Sequence, residues 1–89
     1  MTLDNATRRQ KQKEAMGLTA LMQVGKAGVT DEVAAELARH LKRHKLVKVR
    51  LLPAATGEAE LGTQATALAK ATRSELVETR GATAVFWRP

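Results

Sequence analysis

Apolar positions recur along this chain at two periods, and the switches between them divide it into seven elements. The clearest is Leu46-Val47-Lys48-Val49-Arg50-Leu51, which alternates apolar and basic residues at the period of a half-buried strand. Val47, Val49 and Leu51 share one face, and Lys48 and Arg50 share the other. Just before it, Val33, Ala34, Leu37, Ala38 and Leu41 fall at i, i+1, i+4, i+5 and i+8, one stripe of a helix. Thr30 is a good N-cap for that helix, Asp31 and Glu32 suit the positive end of its dipole, and it runs to about His44. A further helix, with stripe Leu61, Ala65, Leu68, Ala69 and Thr72, spans roughly Glu58 or Leu61 to Arg73. Gly62 inside it costs up to about 1 kcal/mol, which leaves its start open. Residues 18–24 read as a short strand with Leu21 and Met22 buried. Residues 74–79 and 82–87 read as strands joined by a tight turn at Arg80-Gly81. Near the start, Asn5 or Thr7 can cap a helix that ends at about Met16 before Gly17. Its apolar stripe is thin (Ala6, Ala15 and Met16), which predicts loose docking.

The resulting order is αβαβαββ. Strand–helix–strand units argue for an α/β (α+β) chain in which a four-stranded mixed sheet carries helices on one face, a two-layer sandwich. Eighty-nine residues suit one domain, 1–89. The core is built from small side chains: 16 of the 39 apolar residues are Ala, with 11 Leu, 7 Val and no Ile.

Charge changes this picture from a scaffold to a binding candidate. The formal net charge is +6, and all of that excess lies in residues 1–50, where eleven basic residues face five acidic ones; residues 51–89 are neutral. Such asymmetry suggests a polyanion-binding face, the alternative being a solvated basic surface. No apolar run approaches the length of a membrane span, and no apolar stretch follows the basic start as in a secretory signal. The cytoplasm is therefore the expected compartment. The absence of Cys excludes a disulfide scaffold, a Cys-ligated zinc site and thiol catalysis.

Three groups of residues carry candidate chemistry. Gly25-Lys26-Ala27-Gly28 joins a strand to a helix, so its backbone can approach a ligand closely and Lys26 adds a charge. Asp31 and Glu32 would repel an anion set deep at the helix start, so a phosphate is expected near Lys26 and Ala27. The alternative is an ordinary turn that needs glycine for its geometry. Arg39, Lys42 and Arg43 lie off the apolar stripe of the second helix, and Arg8, Arg9, Lys11 and Lys13 spread around the first. Both sets can lie along a phosphate backbone, which carries affinity but little sequence information. Arg39 can instead pair with Glu36. Lys48 and Arg50 either join such a surface or sit in water. One Phe, one Trp and no Tyr cannot build a base-stacking platform, so Phe86 and Trp87 read first as packing residues. His40 and His44 stand at i, i+4 without a third ligand, so no metal is expected. No nucleophile–base pairing or other catalytic constellation is visible, no cofactor is implied, and the chain is not expected to be an enzyme.

Four segments, taken in order, resemble the CRM domain (chloroplast RNA splicing and ribosome maturation) in its stand-alone bacterial YhbY-like form. Gly25-Lys26-Ala27-Gly28-Val29-Thr30 is similar to that family's GKxG-[LV]-T loop. His44-Lys45-Leu46-Val47-Lys48-Val49 is similar to its HEL-[IV]-KV segment, with Lys45 where Glu is usual. Residues 65–72 resemble its A-x-x-[LI]-A-x-x-T helix, and Phe86-Trp87-Arg88-Pro89 its aromatic-Arg-Pro ending. Thr19-Ala20 replace the Lys-Pro usual before the first strand, and the first helix lacks the usual Leu and aromatic anchors. The resemblance implies a fold similar to the C-terminal domain of translation initiation factor three. It also implies binding of ribosomal RNA in precursors of the large subunit, with a GxxG loop similar to that of KH domains. The partner is then RNA rather than a membrane or a small molecule. The alternatives from the residues alone are a protein-interaction module for an acidic partner and a non-specific nucleic-acid-binding protein.

Overall fold

The alternating segment at residues 46–51 is the inner strand on which the sheet is built. In the computed structural model, which describes residues 3–25, 27–52 and 58–89 (side chains from 61 onward in the last segment), the elements follow the expected order. They are α1 (Asn5–Ala15), β1 (Met22–Val24), α2 (Asp31–His44), β2 (Leu46–Leu51), α3 (Glu58–Thr72), β3 (Glu75–Arg80) and β4 (Thr83–Trp87). The four strands form one mixed sheet in the order β1-β2-β4-β3. β1 runs parallel to β2, with Met22 opposite Val49 and Val24 opposite Leu51. β4 is antiparallel to both β2 and β3.

Each face of this sheet has its own cover. On one face Val47, Val49 and Leu51 of β2, with Ala84 and Phe86 of β4, meet Leu37 and Leu41 of α2 and Leu61, Ala65, Leu68 and Ala69 of α3. The stripe expected for α3 is buried in full, Thr72 included; the Thr72 hydroxyl donates to the Leu68 carbonyl at 2.8 Å. The α2 stripe buries Leu37 and Leu41 and half-buries its other members. The opposite face presents Val77, Val85, Leu46 and Trp87, and α1 lies across it through Ala15. The two-layer arrangement thus describes α2 and α3 on the sheet, and α1 adds a partial third layer, because β3 and β4 are apolar on both faces.

Two local expectations change. β1 spans only residues 22–24, and Leu21 is 42% exposed whereas Met22 is buried. Successive strand residues point to opposite faces, so Leu21 and Met22 cannot enter the same core. The cap of α1 is Asp4 rather than Asn5 or Thr7: its carboxylate accepts the Thr7 backbone N–H at 2.6 Å. That bond holds the Asp4 carboxyl below its ordinary pKa.

α2 and α3 each end on a non-glycine residue with positive φ, Lys45 at 64° and Arg73 at 55°. At Arg73 the chain closes with Ser74 N–H to the Ala69 carbonyl and Arg73 N–H to the Lys70 carbonyl, the paired bonds of a Schellman stop. At Lys45 a single bond returns to the Leu41 carbonyl.

Candidate nucleic-acid interface

The glycine-rich segment connects β1 to α2 through a tight turn. The Gly28 N–H reaches back to the Gly25 carbonyl at 3.0 Å, and Gly28 has φ +74°, a conformation that favours glycine. Ala27 is exposed, and Lys26 lies outside the described residues. The α2 start beyond the turn is already capped: Val33 N–H donates to the Thr30 hydroxyl at 3.2 Å, and Ala34 N–H to the Thr30 carbonyl. Asp31 and Glu32 are exposed there. A Cβ added at Gly28 would meet the Gln64 side-chain Nε2 of α3 at 3.9 Å, and the Gln64 Oε1 is buried without a hydrogen-bond partner among the described residues.

Arg39, Lys42 and Arg43 are exposed on α2 at i, i+3 and i+4, so they share one face of the helix. Among the described residues none of the three has an ion-pair partner. The Glu36 carboxylate, a possible mate for Arg39, lies instead 3.7 Å from His40 Nε2, one turn further on. Arg39 and Lys42 open onto a shallow pocket of about 460 Å³, whose rim also carries Lys45 and Arg88.

The cations of α1 are used differently. The Arg8 guanidinium reaches the edge strand β3 and donates from one Nη to the carbonyls of Leu76 (2.8 Å) and Val77 (2.6 Å). These carbonyls sit at a register shift in the β3–β4 ladder, where a bulge leaves backbone groups without strand partners. Arg8 therefore satisfies the bulge and blunts an open sheet edge. Lys11 lies 4.9 Å above the Trp87 ring and 3.5 Å from the Glu14 carboxylate. Arg9 bonds the Asn5 carbonyl of its own helix at 3.4 Å, and Lys13 is exposed. Lys48 is half-buried in a groove with His44, Leu18 and Leu21, and Arg50 is exposed on the same face of the sheet. The sequence-derived cations thus fall on opposite sides of the sheet, α2 with the glycine turn on one and α1 with Lys48 and Arg50 on the other. Phe86 is fully buried in the core, and Trp87 is half-buried under α1.

The role of Arg8 makes a first prediction. Arg8→Ala should cost about 1.5–3 kcal/mol, the value of charged hydrogen bonds, and should speed amide exchange in α1 and β3. It should change binding to a polyanion by less than neutralising an α2 cation does. Unchanged stability with strongly reduced affinity would place Arg8 in the interface instead of the fold.

Lys45 and Arg88 are the two cations of this pocket that sequence reading passes over. They meet because β2 and β4 pair with Leu46 opposite Trp87, which sets residue 45 beside residue 88. The Arg88 N–H donates to the Lys45 carbonyl at 2.9 Å. The antiparallel register, had it been extended one residue past the strands, is the signal that finds them.

Comparison with known proteins points the same way. The family model described as "CRS1 / YhbY (CRM) domain" matches residues 3–88. A Bacillus subtilis (strain 168) protein named "Probable RNA-binding protein YqeI" is 39% identical over 75 residues, covering 84% of this chain and 76% of that protein. The solution structure of "the hypothetical protein SAV1595 from Staphylococcus aureus, a putative RNA binding protein" superposes with a TM-score of 0.86 at 27% identity, covering 99% of this chain and 90% of that one.

Proposed function

Because the chain belongs to the CRS1/YhbY (CRM) domain family, we propose that it is an RNA-binding protein that engages ribosomal RNA of large-subunit precursors as an assembly factor. The names of its relatives support RNA as the partner. The observation that carries the reading is the set of α2 cations, Arg39, Lys42 and Arg43, which have no ion-pair partner among the described residues and stand on the same helix that opens from the glycine turn. Side chains without protein partners on a rigid helix present charge to a phosphate backbone at little ordering cost. The α1 cations contribute less, because Arg8 and Lys11 are engaged within the fold.

The interface lacks a stacking platform, since Phe86 is core and Trp87 is half-covered. Recognition is therefore by backbone and shape, as suits structured RNA. The protein acts by binding and not as an enzyme, in the cytoplasm; among the described residues no helix is long and apolar enough to cross a membrane.

Binding of a large-subunit ribosomal RNA fragment across a salt series tests this. With about five phosphates neutralised, log K should fall against log salt with a slope of roughly −3.5. Lys26→Glu should weaken binding while the circular dichroism spectrum is unchanged. In cells, crosslinked RNA should come from large-subunit precursor particles. Equal affinity for duplex DNA, or recovery of one acidic protein partner with no RNA enrichment, would overturn the proposal.

A further inference from the structure

We infer that the pocket at the C-terminal end of α2 is a phosphate-binding site, in which Arg39, Lys42, Lys45 and Arg88 together hold a phosphate group of the bound RNA. This rests on the RNA-binding reading above. It moves the strongest phosphate contact away from the glycine turn to the opposite end of the helix, about 20 Å along a helix of 14 residues.

The two ends of α2 differ in what an anion would meet. At the N-terminal end Asp31 and Glu32 are exposed, and Thr30 already takes the Val33 and Ala34 N–H groups. The partial positive charge of the helix start, about half an elementary charge, is outweighed by two carboxylates. At the C-terminal end the dipole contributes about half a negative charge, but four cations line the pocket. Among the described residues the lining contains no Asp or Glu side chain, and none of the four cationic side chains has an ion-pair or hydrogen-bond partner. The pocket volume of about 460 Å³ is within the range of small-ligand sites.

The backbone fixes the pocket in advance. Lys45 is locked from both sides, its N–H on the Leu41 carbonyl and its carbonyl on the Arg88 N–H, each at 2.9 Å. Two of the four cations therefore cannot drift apart at their backbones. Lys45 also sits at φ 64°, ψ −34°, which an L-residue rarely adopts and glycine adopts freely. A lysine held at a position where glycine would relax the chain points to a use for its side chain.

The phosphate is either an internal phosphodiester, with two non-bridging oxygens, or a terminal monoester, with three; both present anionic oxygens to the same cations. One RNA hairpin, prepared with a 5′-hydroxyl and with a 5′-phosphate, separates them. Arg88→Gln and Lys45→Gln in the full chain should each weaken hairpin binding about fourfold near physiological salt and reduce the salt slope by about 0.7. Equal loss on both hairpins assigns an internal phosphate, and a larger loss on the 5′-phosphorylated one assigns the terminal group. Lys45→Gly should melt at a higher temperature than the parent and still bind more weakly, a combination that a merely solvated side chain would not give. Lys70→Gln, a cation on α3 away from the pocket, should change neither affinity nor slope. If Arg88→Gln and Lys45→Gln keep the parental slope while Lys26→Glu weakens binding, the pocket is not a site although the protein binds RNA. If the parent chain binds neither hairpin, the RNA-binding reading itself falls, and the pocket with it.

Discussion

Phe86→Ala should destabilise the protein by about 3–5 kcal/mol, the usual cost of removing a buried aromatic ring. Phe86 has no exposed surface and is among the largest of the fully buried side chains. It sits on β4, an inner strand, opposite Val47 of β2 and close to Leu76 of β3. Around it the core is mostly Ala, Val and Leu, and small side chains cannot swing in to fill the space a phenyl ring leaves. A chain of 89 residues has a total stability of roughly 5–13 kcal/mol, so this one change removes a large part of it. At roughly 4–8 °C per kcal/mol, the melting temperature should fall by about 12–40 °C. Thermal and urea unfolding followed by circular dichroism measure this, and Phe86→Leu should be milder. A loss below about 1 kcal/mol would mean that Phe86 is not the centre of the core.

The second large effect belongs to α2. Replacing Arg39, Lys42 and Arg43 together by Gln should weaken binding to structured ribosomal RNA about fiftyfold near physiological salt and make the salt slope shallower by about 2. All three residues are exposed, and Gln is a good helix former, so the helix survives. Two of the changes lie in the last turn, where cations complement the helix dipole, and that loss should stay under about 2 kcal/mol. Binding measured at several salt concentrations on protein shown to be folded separates the two contributions. Parental affinity in the triple variant would remove α2 from the interface.

The elements with a strict period were legible in the sequence. The alternation of β2 places Val47, Val49 and Leu51 in the core as expected, and the α3 stripe from Leu61 to Thr72 is buried residue by residue. Periodicity reports a buried face directly, so these positions follow from the residue types alone. The docking of α1 was legible only at Ala15, a member of its thin stripe that is buried against Val77 and Val85; its other anchor is a hydrogen-bonding one. Arg8 reaches backbone carbonyls 68 and 69 positions away, and a carbonyl has no signature in the residue types. The bulge that leaves those carbonyls open is equally silent. The cations of the candidate interface were visible as a charge excess in residues 1–50, but not which of them the fold itself consumes. Nor was it visible that Lys45, at a helix end, and Arg88, after the last strand, meet across a strand pair.

The seam between α1 and the sheet also gives the chain an optical gauge. Trp87 is its only tryptophan and it has no tyrosine, so emission comes from a single indole, half-covered by α1 with the Lys11 ammonium above its ring. Its intensity and wavelength report on one joint, where the first helix closes over Val77 and Val85, while the core around Phe86 on the other face stays spectroscopically dark. Detachment of that helix can therefore be followed by colour alone, apart from global unfolding followed by circular dichroism.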